Sequence, residues 1–421
     1  MLNNRMKKHQ ITLFILMIAG LVALNTLVLA PEDNFYGVTS EDFVNHEHVS
    51  SQKLFDNVWL TVKNNYYDAS LNHQTWARWK DHYRGKIKTD EDAKVAIDSM
   101  LASLDDPYSK YMDKSEYGEQ NTSIEQKITG IGVNIASISG KVQIINVVEG
   151  TPAQASNLQA GDVIVDIDGK DVKGLSLAEV ATLVKGPENS IVNITIMRDK
   201  DKFLKKVMRK EIKIKTVKSS MDKNIGYIQI SSFLGASTPH DFIDAVERTK
   251  DAEGLILDLR GNTGGLLPNA VFIANMFISN GNLVSIVGRD NYRFDIEAEN
   301  IDFHLDKPMI VLVDGSSASA SEILSGALKD YKKAKLLGTR TFGKGMVQKI
   351  VPLPNETGLN LTIAKYLTPN GDDINKKGIT PDIEVTLTLE DVKNRHDVQL
   401  ETAKTILTEM IQKEHSTAYG N

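Results

Sequence analysis

The sequence predicts an α/β protein with a largely parallel sheet, preceded by a smaller β-rich domain, an N-terminal helical module and a membrane-anchor helix. Three observations carry this reading. From Lys223 to about Thr388, apolar strand-like runs alternate with helical ones, the pattern of a parallel α/β core. From Thr129 the texture is instead short strands punctuated by glycine, with Asp168-Gly169 as a strong hairpin turn. Before either, Ile11–Ala30 runs for 20 residues without a charge, enough helix to span about 30 Å of bilayer.

Taken in order, residues 1–10 form a tail carrying Arg5, Lys7 and Lys8. Positive residues ahead of an apolar span keep such a tail in the cytoplasm, so 11–30 should be a single-pass anchor in a bacterial cell membrane with the remainder outside the cytoplasm. Val28 and Ala30 suit a signal-peptidase site, but Pro31 opposes cleavage, and a retained anchor is expected. Residues 31–50 are polar and aperiodic, a linker. In residues 51–120, Leu54, Phe55, Val58, Trp59 and Val62 share one helical face, and Thr89 caps a second helix through Asp92. "DDPYSKYM" then makes a turn. Such a module suggests packing or dimerisation rather than chemistry. Residues 121–210 hold the glycine-punctuated strands, 211–390 the α/β core, and 391–421 a closing helix with Val398, Leu400, Ala403, Ile406, Leu407 and Met410.

Composition narrows the chemistry. The net charge of −6 and pI near 5.9 argue against nucleic acid as a partner, because phosphate backbones require a cationic face. The chain has no cysteine, so disulfides, zinc–thiolate sites and a cysteine nucleophile are excluded.

"GTRTFGKG", residues 338–345, satisfies G-x-x-x-x-G-K, most of a phosphate-binding loop. Such a loop needs Ser or Thr after its lysine and then a helix aimed at the phosphates. Gly345 follows instead, and "MVQKIVPL" is β-branched and ends at a proline, so it reads as a strand. Nucleotide binding loses both its metal ligand and its helix. "SSQK" at 50–53 fits S-x-x-K, but no K-T-G or S-D-N accompanies it.

Another use for Lys344 lies upstream. "DGSSASASEILSGALKD" places serines between an apolar strand and a helix, where a nucleophilic serine would be exposed beside helix N–H groups. Ser316, Ser317, Ser319 and Ser321 all compete for that role, though Ser321 is also a natural N-cap ahead of Glu322 and Ile323. No histidine falls in either segment; His304 is nearest, and His240 lies farther upstream. Lysine is the known substitute base. It must be neutral to act, and burial beside Phe342 and Met346 would lower its pKa toward the useful range.

The motifs, in their order, carry a family resemblance. "TGIGVNI" and "GTPAQASNLQAGDVIVDIDG" resemble a PDZ domain. "GLILDLRGNTGGLL", "VLVDGSSASASEILSGALKD" and "TRTFGKGMVQ", following it, resemble the C-terminal processing (tail-specific) serine proteases, as do "DDPYSKYM" and "YLTPNGDDINKKGITPDIEV". The resemblance implies a ClpP/crotonase-like protease core with an inserted PDZ domain, and a serine endopeptidase that needs no cofactor or metal. It places the nucleophile on Ser319, the general base on Lys344 and a lysine-orienting glutamine on Gln348. Backbone oxyanion donors fall on Gly264, Gly265 and Ala320. Gly130, Ile131, Gly132 and Val133 would present N–H groups to a peptide's terminal carboxylate, the peptide adding as a strand. Substrates would be unfolded or flexible proteins with free, apolar C-termini, and a homodimer is a further expectation of the family. Thr263 stands where the family usually has Pro, and Lys185 where many relatives have Arg. Asp330, sometimes given a relay role, should lie too far along the helix from Ser319 to touch it. The contrasting reading is a catalytically silent PDZ scaffold or export chaperone.

Overall fold

The computed structural model describes residues 48–418 except 126, 139, 149, 214, 300, 302, 303 and 395. The tail, the 11–30 span and most of the linker lie outside the described residues. Among the described residues no helix is long and apolar enough to cross a membrane. The chain divides into two compact units, Asn121–Lys215 and the residues on either side of it.

The N-terminal module follows its sequence pattern. Helix α1, Ser51–Asn65, is capped by the Ser50 side chain and buries Leu54, Phe55, Val58 and Val62. Helix α2, Asp90–Ala102, begins with the Thr89–Asp92 capping box and buries Ala93, Ala96, Ile97, Met100 and Leu101. "DDPYSKYM" does more than turn: Lys110–Met112 is strand β1. The module also shares its core with the rest of its unit, since Leu353, Leu359 and Leu361 complete the same buried cluster.

In the inserted unit, strands β2 (Val133–Ile138), β3 (Lys141–Val147) and β4 (Val163–Ile167) are followed by helix α3 (Leu177–Val184) and the hairpin β5 (Ile191–Arg198) and β6 (Asp201–Met208). The sheet runs β2-β3-β4-β5-β6, so β2 and β6 are its edges. Val192, Ile194 and Ile196 of β5 face a core shared with Ile144, Ile164, Val180 and Val207.

The α/β core contains two sheets where alternation alone suggested one. Strands β7 (Val217–Asp222), β8 (Ile225–Ile230) and β9 (Gly254–Asp258) lead to helix α4 (Leu267–Asn275), then to β10 (Asn282–Gly288) and β11 (Arg293–Glu297). Strand β12 (Met309–Val313) feeds helix α5 (Ala320–Asp330), followed by β13 (Lys335–Gly338), β14 (Met346–Leu353), β15 (Thr357–Leu367), β16 (Ile383–Glu384) and the closing helix α6 (Val398–Ala418). One sheet runs β7-β8-β9-β12-β13-β16 and is parallel except for the β7–β8 pair. The other is antiparallel, with β14 on one side of β15 and both β1 and β10 on the other. The sequence reading missed this second sheet because β1 and β10 reach β15 from distant parts of the chain, and no local pattern announces those pairings.

The parallel strands are apolar throughout because both faces are buried. Alternation divides them: Leu255, Leu257, Met309, Val311 and Val313 join the helix-covered core, while Ile256, Ile310 and Leu312 pack under α6 with Ala403, Leu407 and Ile411. Gly254 lets α6 approach, since a Cβ there would meet Ile411 Cδ1 at 2.8 Å and Leu407 Cδ1 at 2.9 Å. Arg260 ties the base of that helix to β9 through Asp258 and Asp397, at 2.7 and 2.8 Å. Leu407 is fully buried, so Leu407→Ala should lower stability by about 2–5 kcal/mol. The shift of the urea unfolding midpoint measures it.

Candidate active site

Strand β12 ends at Val313, and α5 starts seven residues later at Ala320. Between them Asp314 organises a turn, its carboxylate accepting from the Ser316 and Ser317 amides at 2.9 and 3.0 Å. The serines then separate by role. Ser317 Oγ donates to Leu259 O at 2.8 Å, and Ser321 Oγ donates to Asn262 O at 2.8 Å; both residues are fully buried. These hydroxyls fasten the turn to the loop after β9. Ser319 is half-exposed and sits at φ 54°, ψ −115°, a conformation that a residue with a side chain adopts only when its surroundings impose it. The N-cap position belongs to Ser319, not to Ser321, because the helix begins two residues earlier than its serine pattern suggested. Asp330 closes the far end of the helix, where it accepts from the Asn370 amide at 2.9 Å.

What imposes the Ser319 conformation is Glu322, a carboxylate with no exposed surface. Its Oε2 accepts from the backbone N–H of Ser319 and from that of Lys344, each at 2.9 Å. Its Oε1 accepts from Thr341 Oγ1 at 2.6 Å and from the Gly343 N–H at 2.7 Å. The Ser319 and Lys344 nitrogens are therefore no farther apart than two such bonds laid end to end. Phe342 N–H to Ser317 O, at 3.0 Å, closes the same pair of loops from the other side. The sequence reading saw in Glu322 only the start of a helix. A carboxylate three residues past the N-cap was the signal available.

The Lys344 side chain is half-buried, with its Nζ 5.0 Å from the centroid of the Tyr108 ring. Burial lowers its pKa from the ordinary lysine value, against the opposing pull of Asp106 and Glu322. Tyr108 belongs to the "DDPYSKYM" turn, pinned by Asp106 to its own amide at 3.0 Å and by Ser109 Oγ to the Thr362 amide at 3.1 Å. Tyr366, also buried, donates to Ser319 O at 3.2 Å, and burial raises its pKa. Gln348 lies on β14 beside a register shift, opposite Thr362. Its Nε2 is buried and makes no hydrogen bond among the described residues, so it donates none to Lys344.

The glycine loop after β9 reaches the same place. A Cβ on Gly264 would fall 2.7 Å from Ala318 O, 2.9 Å from Ser319 Cβ and 3.0 Å from Ala320 N, and the residue has φ +103°. Only glycine fits there. Its amide, however, is taken: Gly264 N–H donates to Asn262 Oδ1 at 2.9 Å. That corrects the reading of Gly264 as an oxyanion donor. The amides of Gly265 and Ala320 make no hydrogen bond among the described residues. Asn262, another residue the sequence reading passed over, is fully buried and bonds Ile230 O, Gly264 N–H, Ala318 N–H and Ser321 Oγ. Thr263 beside it is exposed.

In the inserted unit, Ile131 is buried and Gly132 has φ +88°, packed so closely on Thr151 that a Cβ would lie 2.4 Å from it. Carbonyls of this loop accept from Ala153 and Val148. Strand β2 continues from Val133 with its outer edge unpaired, and Ile138 at the end of β2 and Leu177 at the start of α3 are exposed. Lys185 is an exposed C-cap of α3.

Comparison with known proteins agrees with this arrangement. Residues 224–385 match Peptidase family S41, residues 129–208 a PDZ domain, and residues 34–116 the activating protease CtpB N-terminal domain. A carboxyl-terminal-processing protease of Synechocystis is 33% identical over 382 residues, spanning 87% of this chain and 89% of its own. A carboxy-terminal-processing protease of Bartonella bacilliformis is 39% identical over 319 residues, 72% of each chain. Among solved structures, the photosystem II D1 C-terminal processing protease is 33% identical, with a TM-score of 0.55 over 80% of this chain and 94% of that one. With a serine at a strained strand-to-helix turn and similarity running through all three regions, the chain belongs to the carboxyl-terminal-processing serine proteases of peptidase family S41.

Proposed function

We propose that Ser319 and Lys344 form the catalytic dyad of this C-terminal-processing peptidase, and that the PDZ domain selects its substrates. The observation that carries the reading is the shared carboxylate: Glu322 binds the backbone of both residues, so the turn presenting the hydroxyl and the loop presenting the amine are one rigid piece. In this mechanism Ser319 Oγ attacks the scissile carbonyl while the neutral Lys344 amine takes its proton. The resulting oxyanion is met by the N–H groups of Gly265 and Ala320, the second at the positive end of α5. The lysine returns the proton to the leaving amine, and water hydrolyses the ester.

Gln348 completes the assignment as the residue that orients Lys344. Its buried, unpartnered Nε2 supports a role that engages only when substrate or water enters. Upstream of the chemistry, residues 130–133 hold the C-terminal carboxylate of an unfolded or flexible protein, with the peptide pairing along the open edge of β2. Exposed Leu177, at the start of α3, favours an apolar side chain beside it. Residues 11–30 anchor the enzyme in the bacterial membrane with the peptidase on the extracytoplasmic side, and two copies pair through their terminal helices, as the family resemblance implies.

The reading is tested on a disordered protein with an apolar C-terminus. Ser319→Ala should abolish cleavage and Lys344→Ala should reduce it by about 10²–10⁴-fold, while amidating the substrate's C-terminus slows the unmodified enzyme. Equal activity in all three chains removes the dyad.

Two further outcomes follow from the site. Because only the neutral amine accepts a proton and burial holds its pKa down, kcat/KM should rise with pH and reach its half-maximum below 10.5. A rate unchanged across that range assigns the base elsewhere. Glu322→Gln replaces an acceptor oxygen by an NH₂ group facing N–H donors, and should cost about 1–3 kcal/mol of stability together with most of the turnover. Denaturation and single-turnover rates on the same preparation separate the two losses.

A further inference from the structure

The hairpin of β5 and β6 carries a surface that the peptidase chemistry does not use. Val192, Ile194 and Ile196 point into the core, so Ile191, Asn193, Thr195 and Met197 point outward. Directly opposite them in the ladder stand Met208, Lys206, Leu204 and Lys202, which share that outward face. Leu204 is 62% exposed, Ile191 55% and Met208 44%, an aliphatic stripe along an edge strand rather than a scatter of single residues. Lys202 and Lys206 alternate with these aliphatics and make no ion pair or hydrogen bond among the described residues. At the tip of the hairpin Phe203 is 40% exposed, with Arg198 and Lys205 each 5.8 Å from its ring.

The charge is concentrated here. Between Arg198 and Lys215 there are nine cationic residues and three carboxylates, in a chain whose net charge is −6. Arg209 is the buried member of the nine, occupied by Val184 O and Leu183 O. Lysine on an edge strand has an ordinary purpose, to discourage pairing with another chain's edge. That purpose does not require Leu204, Met208 and Ile191 to be exposed on the same face, and such residues would work against it.

Aliphatic side chains interleaved with unpaired lysines match one kind of partner, an interface that is apolar just beneath a layer of negative charge. We propose that the outward face of the β5–β6 hairpin is a docking surface for anionic phospholipid, with Lys202 and Lys206 at the headgroups and Leu204, Met208 and Ile191 entering between them. The PDZ domain would then be held at a membrane through a face distinct from the β2 edge, since β2 and β6 bound the sheet on opposite sides.

The absence of cysteine gives a direct test. The full chain with Leu204→Cys, labelled with an environment-sensitive fluorophore, is reconstituted into vesicles of phosphatidylcholine alone or mixed with phosphatidylglycerol. Tethering through any other segment is common to both lipids. The label should shift to the blue and be quenched by nitroxide lipids in the anionic vesicles only, while a label at Val95→Cys, an exposed site on α2, stays solvent-like. Adding Lys202→Glu and Lys206→Glu should abolish the shift. A solvent-like label at 204 in both lipids overturns the proposal, as does an equal shift in the two. A shift that grows with protein concentration in detergent, without lipid, overturns it in favour of a protein interface.

Discussion

Four groups from two loops converge on the side chain of Glu322, and the arrangement of the site depends on that convergence. A buried carboxylate is costly unless its lone pairs are filled, and here they are filled entirely by groups whose positions matter. Removing any one donor would leave the charge underpaid by a hydrogen bond. The constraint runs in both directions: the loops satisfy the charge, and the charge holds Ser319 in a backbone conformation it would not adopt alone.

Around this point the fold works as a set of close approaches. The glycine loop after β9 comes within van der Waals distance of Ser319 because Gly264 has no side chain, and Asn262 locks that approach from beneath. On the opposite face of the parallel sheet, Gly254 performs the same service for α6. The central strands can be wholly apolar because each face has its own cover.

Much of this was legible in the sequence, and the reasons for the remainder are physical. The Thr89–Asp92 cap, the apolar face of α1, the α/β alternation and the strand after Lys344 all follow from local pattern, so they could be read directly. Ser319 and Lys344 were singled out through motif order. The second sheet was not legible, because β1 and β15 pair across the whole inserted unit and nothing local announces that partnership. Gly264 was misread as a donor for a related reason. Its glycine character declared a close approach, but the occupation of its amide depends on where the Asn262 side chain turns, and that is settled by packing. Glu322 and Asn262 were overlooked because a polar residue's burial is a tertiary fact.

The placement of Tyr108 ties reactivity to folding order. The ring over Lys344 comes from a turn that precedes the inserted unit, while the lysine follows it, so the lysine's apolar shelter is made by a long-range contact. A chain in which the lysine's own loop has formed but this turn has not docked would leave the amine in water, protonated and inert as a base. The same holds for a mature molecule whose turn momentarily lifts away. With Lys344 as the proposed base, the peptidase would be least reactive while it is itself incompletely folded, and the Tyr108 ring is part of that safeguard.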